Sequence, residues 1–497
     1  MKKAKIILSL LLILILTISC SSKQTSLSDS ITLTVIHIND RHGRMEADPY
    51  ISQFANDLRA KDMNVLILDA GDTLHGQVTA NLTKGASMVE LMNAVGYSAM
   101  VFGNHEFNYG IDRMLELEAM MNFPLLVANV KKDGVNIFQE YEIFTIAGIK
   151  IGVFGIVTPE TPITSDPRLT VGLEFEDPMQ TAIRIVNELQ TKEVDFIISL
   201  AHLGDNQTTL AENKVDALVV PGVNLIIDGH SHTLLPNGRN VGNTLIVQAG
   251  EFANHFGIVK ITIEKGEISQ IANTIEVNET LKPDDLILSK IIEINKSTES
   301  ITSEIVGYTP YFLNGERSDV RTKDTNLSNL ITDSMRYISN ADIGFISGGS
   351  IRASIPKGNI TMGHVLSTIP FSNLIVTIEL NGSIILEALE HGVSAYPDEM
   401  GSFLQFSGLN VIFDPSAEAG SRIKSVTMYN NEPFDINRTY TVAMIEFLSA
   451  GGDGYTMLTL GENLVYYGGD AEAFVAYLLT NPVINEEGEG RILKIDN

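Results

Sequence analysis

The sequence predicts a two-domain α/β protein, and three observations carry that prediction. Residues 31–276 alternate short β-rich runs with stretches of helical periodicity, the pattern of a layered α/β domain. Residues 282–305 are charged, with Leu286, Leu288, Ile291, Ile292 and Ile294 at helical spacing, which predicts a linker helix. From residue 306 onward a second α/β unit follows, punctuated by Gly-rich turns.

At about 150 residues per domain, 497 residues leave room for about three domain-sized units. Apolar residues make up 44% and charged residues 19%, an ordinary globular composition that excludes wholesale disorder. The formal net charge is -27, so the surface repels nucleic-acid backbones and the chain is not expected to bind DNA or RNA. An anionic substrate must therefore be held by local positive charge, from metal ions or a few arginines. A single cysteine, Cys20, excludes a disulfide framework, a zinc ribbon and a CxxC redox centre.

The N-terminus reads as a targeting segment. Lys2, Lys3 and Lys5 precede a run over 6–18 that is broken only by Ser9 and Thr17. A bilayer span needs about 20 apolar residues, so residues 1–19 are expected to be a signal peptide and not a membrane-spanning anchor. Cys20 follows directly, in Leu16-Thr17-Ile18-Ser19-Cys20, and a polar tether continues to residue 30. The arrangement resembles a bacterial lipoprotein signal, although Thr17 stands where such signals usually carry leucine. The resemblance implies export and a lipid on Cys20, with no other membrane contact. The alternative is a plain secretory signal with an incidental cysteine.

In the first domain, expected to cover 31–278, strands are predicted over 31–38, 65–68, 99–102, 149–156, 196–200, 223–227 and 244–247. Helices are predicted over 51–61, 86–95 and 179–189. Five of these strands run into polar clusters. The clusters are Asn39-Asp40-Arg41-His42-Gly43, Asp69-Ala70-Gly71-Asp72, Gly103-Asn104-His105-Glu106, Ala201-His202-Leu203-Gly204 and Asp228-Gly229-His230-Ser231-His232. In an open α/β sheet, residues just past the carboxyl ends of strands converge on one rim, where ligands bind. Imidazoles and carboxylates gathered there suit zinc, manganese or iron and not calcium. Two ions about 3.5–4 Å apart can share one carboxylate, and the clusters supply enough donors for both.

The order D-x-H, G-D, G-N-H-E, H, G-H-x-H resembles the calcineurin-like metallophosphoesterases. The segment from 306 to 497 resembles the C-terminal domain of the 5'-nucleotidase family, so the resemblance extends over the whole mature chain. It implies a dinuclear centre of two divalent ions, zinc, manganese or similar. Asp40, His42, Asp72 and His232 would hold one ion, and Asp72, Asn104, His202 and His230 the other. Asn104, His105 and Asn108 would form the catalytic group, with a metal-activated water attacking phosphorus in line. The family motif G-N-H-E-F-D reads Gly103-Asn104-His105-Glu106-Phe107-Asn108 here. Asn108 brings no charge to His105, so a narrower pH range for its protonated form is expected.

By the same resemblance, residues 320–327 supply Arg321 and Asn326 to a nucleotide site, and Ser347-Gly348-Gly349-Ser350-Ile351-Arg352 supplies Ser347, Gly349 and Arg352. Pro370-Phe371-Ser372-Asn373 and the segment 447–453 supply Phe371, Asn373, Phe447 and Asp453. Two phenylalanines that sandwich a base contribute on the order of 1–3 kcal/mol, with little preference among bases. His37, His75, His255, His364 and His391 fall outside the signature and are expected to be structural or surface residues. The reading implied is an exported nucleoside 5'-phosphate hydrolase, residues 279–305 being the linker between metal site and base site. UDP-sugars or 2',3'-cyclic nucleotides are alternative substrates, and a surface lipoprotein that binds nucleotides with little catalysis is the alternative from another class.

Overall fold

The computed structural model describes residues 30–165, 167–205, 214–264, 266–371, 373–430, 432–480 and 490–495. The expected signal segment, Cys20, its tether up to residue 29, and Ser372 lie outside the described residues.

The first domain's two main sheets are built from β1 (Ser30–Ile38), β2 (Asn64–Asp69), β3 (Ala99–Met100), β4 (Tyr141–Ile146), β5 (Ile149–Val157), β6 (Phe196–His202), β7 (Leu225–Ile227), β8 (Arg239–Val241), β9 (Thr244–Val247), β10 (His255–Glu264) and β11 (Glu267–Glu276). They do not form one open sheet. One sheet is ordered β11-β10-β1-β2-β3 and a second β8-β9-β7-β6-β5-β4. The two pack face to face, with Leu33, Val35, Leu66 and Leu68 of the first meeting Ile151, Val153, Ile198 and Leu225 of the second. Helices α1 (Asp48–Arg59) and α2 (Ala86–Val95) cover the outer face of the first sheet through Ile36, Ile38 and Ile67. Helix α3 (Pro178–Thr191) covers the second through Phe154, Ile156 and Ile197. Central strands are therefore buried on both faces, which is why they read as unbroken apolar runs and not as alternating ones.

β1, β2 and β3 run parallel, as do β5, β6, β7 and β9. Parallel strands bring their carboxyl ends to the same edge, so the polar clusters after β1, β2, β3, β6 and β7 share one rim. The sequence reading of 31–276 missed the hairpin β10–β11 and the antiparallel edge strand β4.

The linker helix α4 spans Asp285–Thr302. Asp284 caps it through the Leu286 N–H, and the same carboxylate accepts from Ser52 Oγ at 2.7 Å, fixing the helix start to α1. Ile287 and Ile294 sink into the first domain's core. The second domain centres on a mixed sheet of β12 (Ile343–Ser347), β13 (Leu374–Asn381), β14 (Leu404–Ser407), β15 (Thr439–Ile445) and β16 (Glu462–Gly469), ordered β14-β12-β15-β13-β16. Helix α5 (Asn326–Ser339) starts at a capping box between Thr325 and Ser328. The domains touch where Asn81 Nδ2 donates to Pro370 O at 2.9 Å and Arg168 pairs with Glu446. Among the described residues, no helix is long and apolar enough to cross a membrane.

Candidate active site

Turns after the parallel strands bring the signature residues together. Five of the seven expected metal-binding residues hold a left-handed backbone: Asp40 (φ 47°), His42 (φ 49°), Asp72 (φ 53°), His230 (φ 72°) and His232 (φ 58°). Each such turn costs about 1–3 kcal/mol and persists only where the surroundings over-determine it. The surroundings are close-fitting backbone. A Cβ at Gly103 would lie 2.2 Å from Asp72 Oδ1, and one at Gly229 would lie 2.9 Å from Asp40 Oδ2. His230 N donates to Asp40 Oδ2 at 2.9 Å, and His105 N donates to Asp72 Oδ1 at 2.9 Å.

Three groups of side chains each bring donor atoms within 4.8 Å of one another: Asp40, His42 and His232; Asp40, Asp72 and His202; and His42, Asp72 and His105. The first two share Asp40, and the last two share Asp72. His42 Nε2 and His232 Nε2 face each other at 3.2 Å. His202 donates Nδ1–H to Ala70 O at 2.7 Å, which turns Nε2 toward Asp72 Oδ2 at 3.2 Å. That Nε2 is fully buried against the Asp72 and Asp40 carboxylates, where a cation can take the place of its proton. His232 has Glu251 on its Nδ1, the carboxylate–histidine arrangement that orients a metal-binding imidazole. His230 Nδ1 lies 3.0 Å from Asn104 Oδ1 instead of joining any of the three groups.

The electrostatics fit a cation. Burial alone would raise the Asp72 carboxyl, but His202 and His105 beside it hold it well below the usual carboxylate range. Burial opposes charge on His202, yet Asp72 and Asp40 push its imidazolium up to about 10. Carboxylates that hold a proton there so firmly favour a divalent ion in its place. The residues present thus suit a divalent metal centre, formed of imidazole and carboxylate donors.

His105 is lowered to about 4 by burial, so its ring is neutral near pH 7. Asn108 Nδ2 lies 3.1 Å from His105 Nδ1. With the amide in that orientation, Nδ1 accepts and the ring proton sits on Nε2. A carboxylate at this position would favour the imidazolium. Asn108→Asp is therefore expected to raise turnover by about tenfold at pH values below the pKa of the imidazolium it stabilises, the gain fading as pH rises through that pKa. A profile superimposable on that of the unsubstituted protein would contradict this.

A cavity of about 720 Å³ lies between the domains. Asp72, Asn104, His105, Asn108, His230 and His232 line it from the first domain, while Asp40, His42 and His202 lie beneath. From the second domain Arg321, Gly349, Arg352, Phe371, Asn373, Phe447 and Asp453 line it. Burial lowers Arg321 to about 9, aided by repulsion from Arg317 and Arg352, and its Nε has no hydrogen-bond partner. Buried cations of this kind are receptive to an anion. Phe447 rests on the Gly451-Gly452-Asp453 turn, where a Cβ at Gly452 would lie 2.4 Å from the ring.

Two residues expected in the nucleotide site do not line the cavity. Asn326 donates Nδ2–H to Phe312 O at 2.9 Å and accepts from Asn314 N at 2.8 Å, so its amide clamps the preceding loop. Ser347 is fully buried, with its hydroxyl 3.0 Å from Ser350 Oγ and hydrogen-bonded to the Asp453 carboxyl. It supports the site from behind. Conversely, His75 and His391, expected to be structural or surface residues, both line the cavity, His75 from the loop after Asp72 and His391 from the last turn of the helix Gly382–Gly392. His391 Nε2 lies 2.9 Å from Asp453 O and steadies that left-handed turn. Arg317 and Glu251 were also missed. The strand-end rule applied to β9, which runs into Gln248-Ala249-Gly250-Glu251, would have found Glu251.

Known proteins share this architecture. Residues 33–234 match the calcineurin-like phosphoesterase family, and residues 302–460 match the 5'-nucleotidase C-terminal domain family. A 5'-nucleotidase of Diplobatis ommata is 31% identical, over 94% of this chain and 90% of that protein. The trifunctional nucleotide phosphoesterase YfkN of Bacillus subtilis (strain 168) is 33% identical, over 93% of this chain but only 35% of that protein. The crystal structure of the 5'-nucleotidase precursor from Thermus thermophilus superposes with a TM-score of 0.82 at 32% identity, over 94% of this chain and 100% of that one. With its two-domain mixed α/β fold and its cluster of candidate metal ligands, the chain belongs to the 5'-nucleotidase family and is a metal-dependent phosphoester hydrolase.

Proposed function

We propose that this protein is an exported enzyme that hydrolyses nucleoside 5'-phosphates to nucleoside and phosphate. The observation that carries the reading is the shared cavity. Imidazole and carboxylate donors line one side, and two phenylalanines, buried arginines and Asp453 line the other. Two divalent ions bound by Asp40, His42, Asp72, Asn104, His202, His230 and His232 would neutralise phosphoryl oxygens and make a water nucleophilic near neutral pH. Arg352, whose charge is felt by His42 and His105, binds the phosphoryl group beside them. Neutral His105 donates its Nε2–H toward the leaving oxygen. Phe371 and Phe447 stack on the base, and Asp453 accepts from ribose hydroxyls. Export and anchoring through Cys20 rest on the N-terminal sequence.

A second reading is favoured by the similarity to a trifunctional phosphoesterase: the same cavity would serve UDP-sugars or 2',3'-cyclic nucleotides. The test is phosphate release from AMP, 2',3'-cyclic AMP and UDP-glucose (the last two coupled to a phosphatase) by the chain lacking residues 1–19. It is run with manganese or zinc and repeated with His230→Ala. AMP is expected to be turned over best, with at least about a hundredfold loss in the variant. A higher rate on either other substrate would select the second reading. Absence of turnover on all three would favour a nucleotide-binding surface protein.

A further inference from the structure

His75 has no part in the metal centre. It lies between the Asp72 turn and Gly76, whose φ of 135° and close approach to His42 O leave no room for a Cβ. That approach holds the His75 ring on the cavity wall, where the residue is only 3% exposed. The imidazole is nearly parallel to His105, with centroids 5.8 Å apart and planes 4° apart. It is nearly parallel to Phe371 as well, at 5.3 Å and 20°, and Phe371 lies 5.9 Å and 24° from His105. Tyr109 meets His75 edge-on at 5.2 Å. Burial lowers His75 to about 3, so the ring packs as a neutral aromatic.

Two of these rings, His75 and His105, come from the first domain, and Phe371 comes from the second. They form an offset aromatic contact across the domain gap, with each pair contributing about 0.5–1.5 kcal/mol. An aromatic ring has two faces. With one face of Phe371 resting on the two imidazoles, a base can stack only on the other.

We infer that His75 is a positioning residue that docks Phe371 against His105, so that a base stacked on Phe371 is held in register with the phosphoryl group at the metal centre. This rests on the reading of Phe371 as a base-stacking ring. His75 then contributes to hydrolysis of substrates that carry a base and much less to that of a phosphate ester without one.

The experiment measures kcat/KM for AMP and for ribose 5-phosphate, which keeps the sugar and phosphate but lacks the base. Phe371→Leu is expected to collapse the AMP preference, and unchanged preference would overturn the stacking reading itself. Given that collapse, His75→Leu is expected to lower the ratio of AMP to ribose 5-phosphate by about tenfold. His75→Phe, which keeps a ring, is expected to bring the ratio back to within about threefold of the original. In the His75→Leu, Phe371→Leu double variant the ratio should fall no further than with Phe371→Leu alone. Equal losses on both substrates in His75→Leu, with no recovery in His75→Phe, would overturn the inference, as would an unchanged ratio.

Discussion

Asp72→Asn is expected to lower kcat/KM for AMP by at least about a thousandfold, the equivalent of about 4 kcal/mol of transition-state stabilisation. Asparagine has the shape of aspartate, and its Oδ1 can still accept from His105 N, a contact of 2.9 Å. The substitution therefore removes one charge and little else. That charge is the one against which His202 Nε2 lies at 3.2 Å, and His42 and His105 complete a donor group with it. Without it, the closest ion-pair partner left to His202 among the described residues is Asp40, at 3.8 Å, and the affinity for a second cation falls. Metal analysis of the variant should show less than half the ions of the unsubstituted protein. Full metal content with full activity would show that Asp72 does not bridge the two ions.

The second large effect is expected at Glu106, which touches no expected ligand atom. Its carboxylate is fully buried and accepts four backbone N–H groups. Oε2 takes Asp72 N at 3.0 Å and Gly103 N at 2.7 Å, and Oε1 takes Thr73 N at 2.6 Å and Leu74 N at 2.8 Å. The residue thus ties the turn carrying Asp72 to the turn carrying Asn104 and His105. Burial pushes its carboxyl up to about 7, with repulsion from Asp72 adding to the effect, and the four donors are what keep a charge there tolerable. Glu106→Gln replaces one oxygen with an NH₂ group that faces two backbone donors. Two buried N–H groups are left without acceptors, at about 1–3 kcal/mol each, so a loss of about 3–5 kcal/mol in stability is expected. Metal affinity should fall about 10–100-fold, as it does when the support of a metal-binding residue is removed. Urea unfolding and metal titration of the variant read the two effects separately. An unchanged midpoint with unchanged affinity would contradict the role assigned to Glu106.

The cluster of imidazole and carboxylate residues was legible in the sequence because those residues follow strands. Parallel strands buried on both faces are unbroken apolar runs, and each ends where polarity begins, so Asp40, Asp72, Asn104, His202 and His230 announce themselves by position. The linker helix was legible from its apolar spacing, but not its buried face: Ile294 is buried as one of the named positions, whereas Leu286, Leu288 and Ile292 are exposed and Ile287, which the spacing passed over, is buried. The division of the strands between two facing sheets was not legible, because each strand's local pattern is the same in either arrangement. His75 sits in a loop, Arg317 at the start of the short helix Arg317–Val320 and His391 in the last turn of the helix Gly382–Gly392; all three were missed because what they face is set by the folding of distant segments. Resemblance placed Asn326 and Ser347 in the right neighbourhood. It could not show that the amide of Asn326 is taken up by Phe312 and Asn314, or that Ser347 lies behind Asp453.

The most direct test of the account is the metal content of the purified chain, measured together with phosphate release from AMP before and after chelation. The account predicts about two divalent ions per chain, with release abolished by chelation and restored by manganese or zinc. Fewer than one ion per chain, with phosphate release indifferent to the chelator, would contradict it.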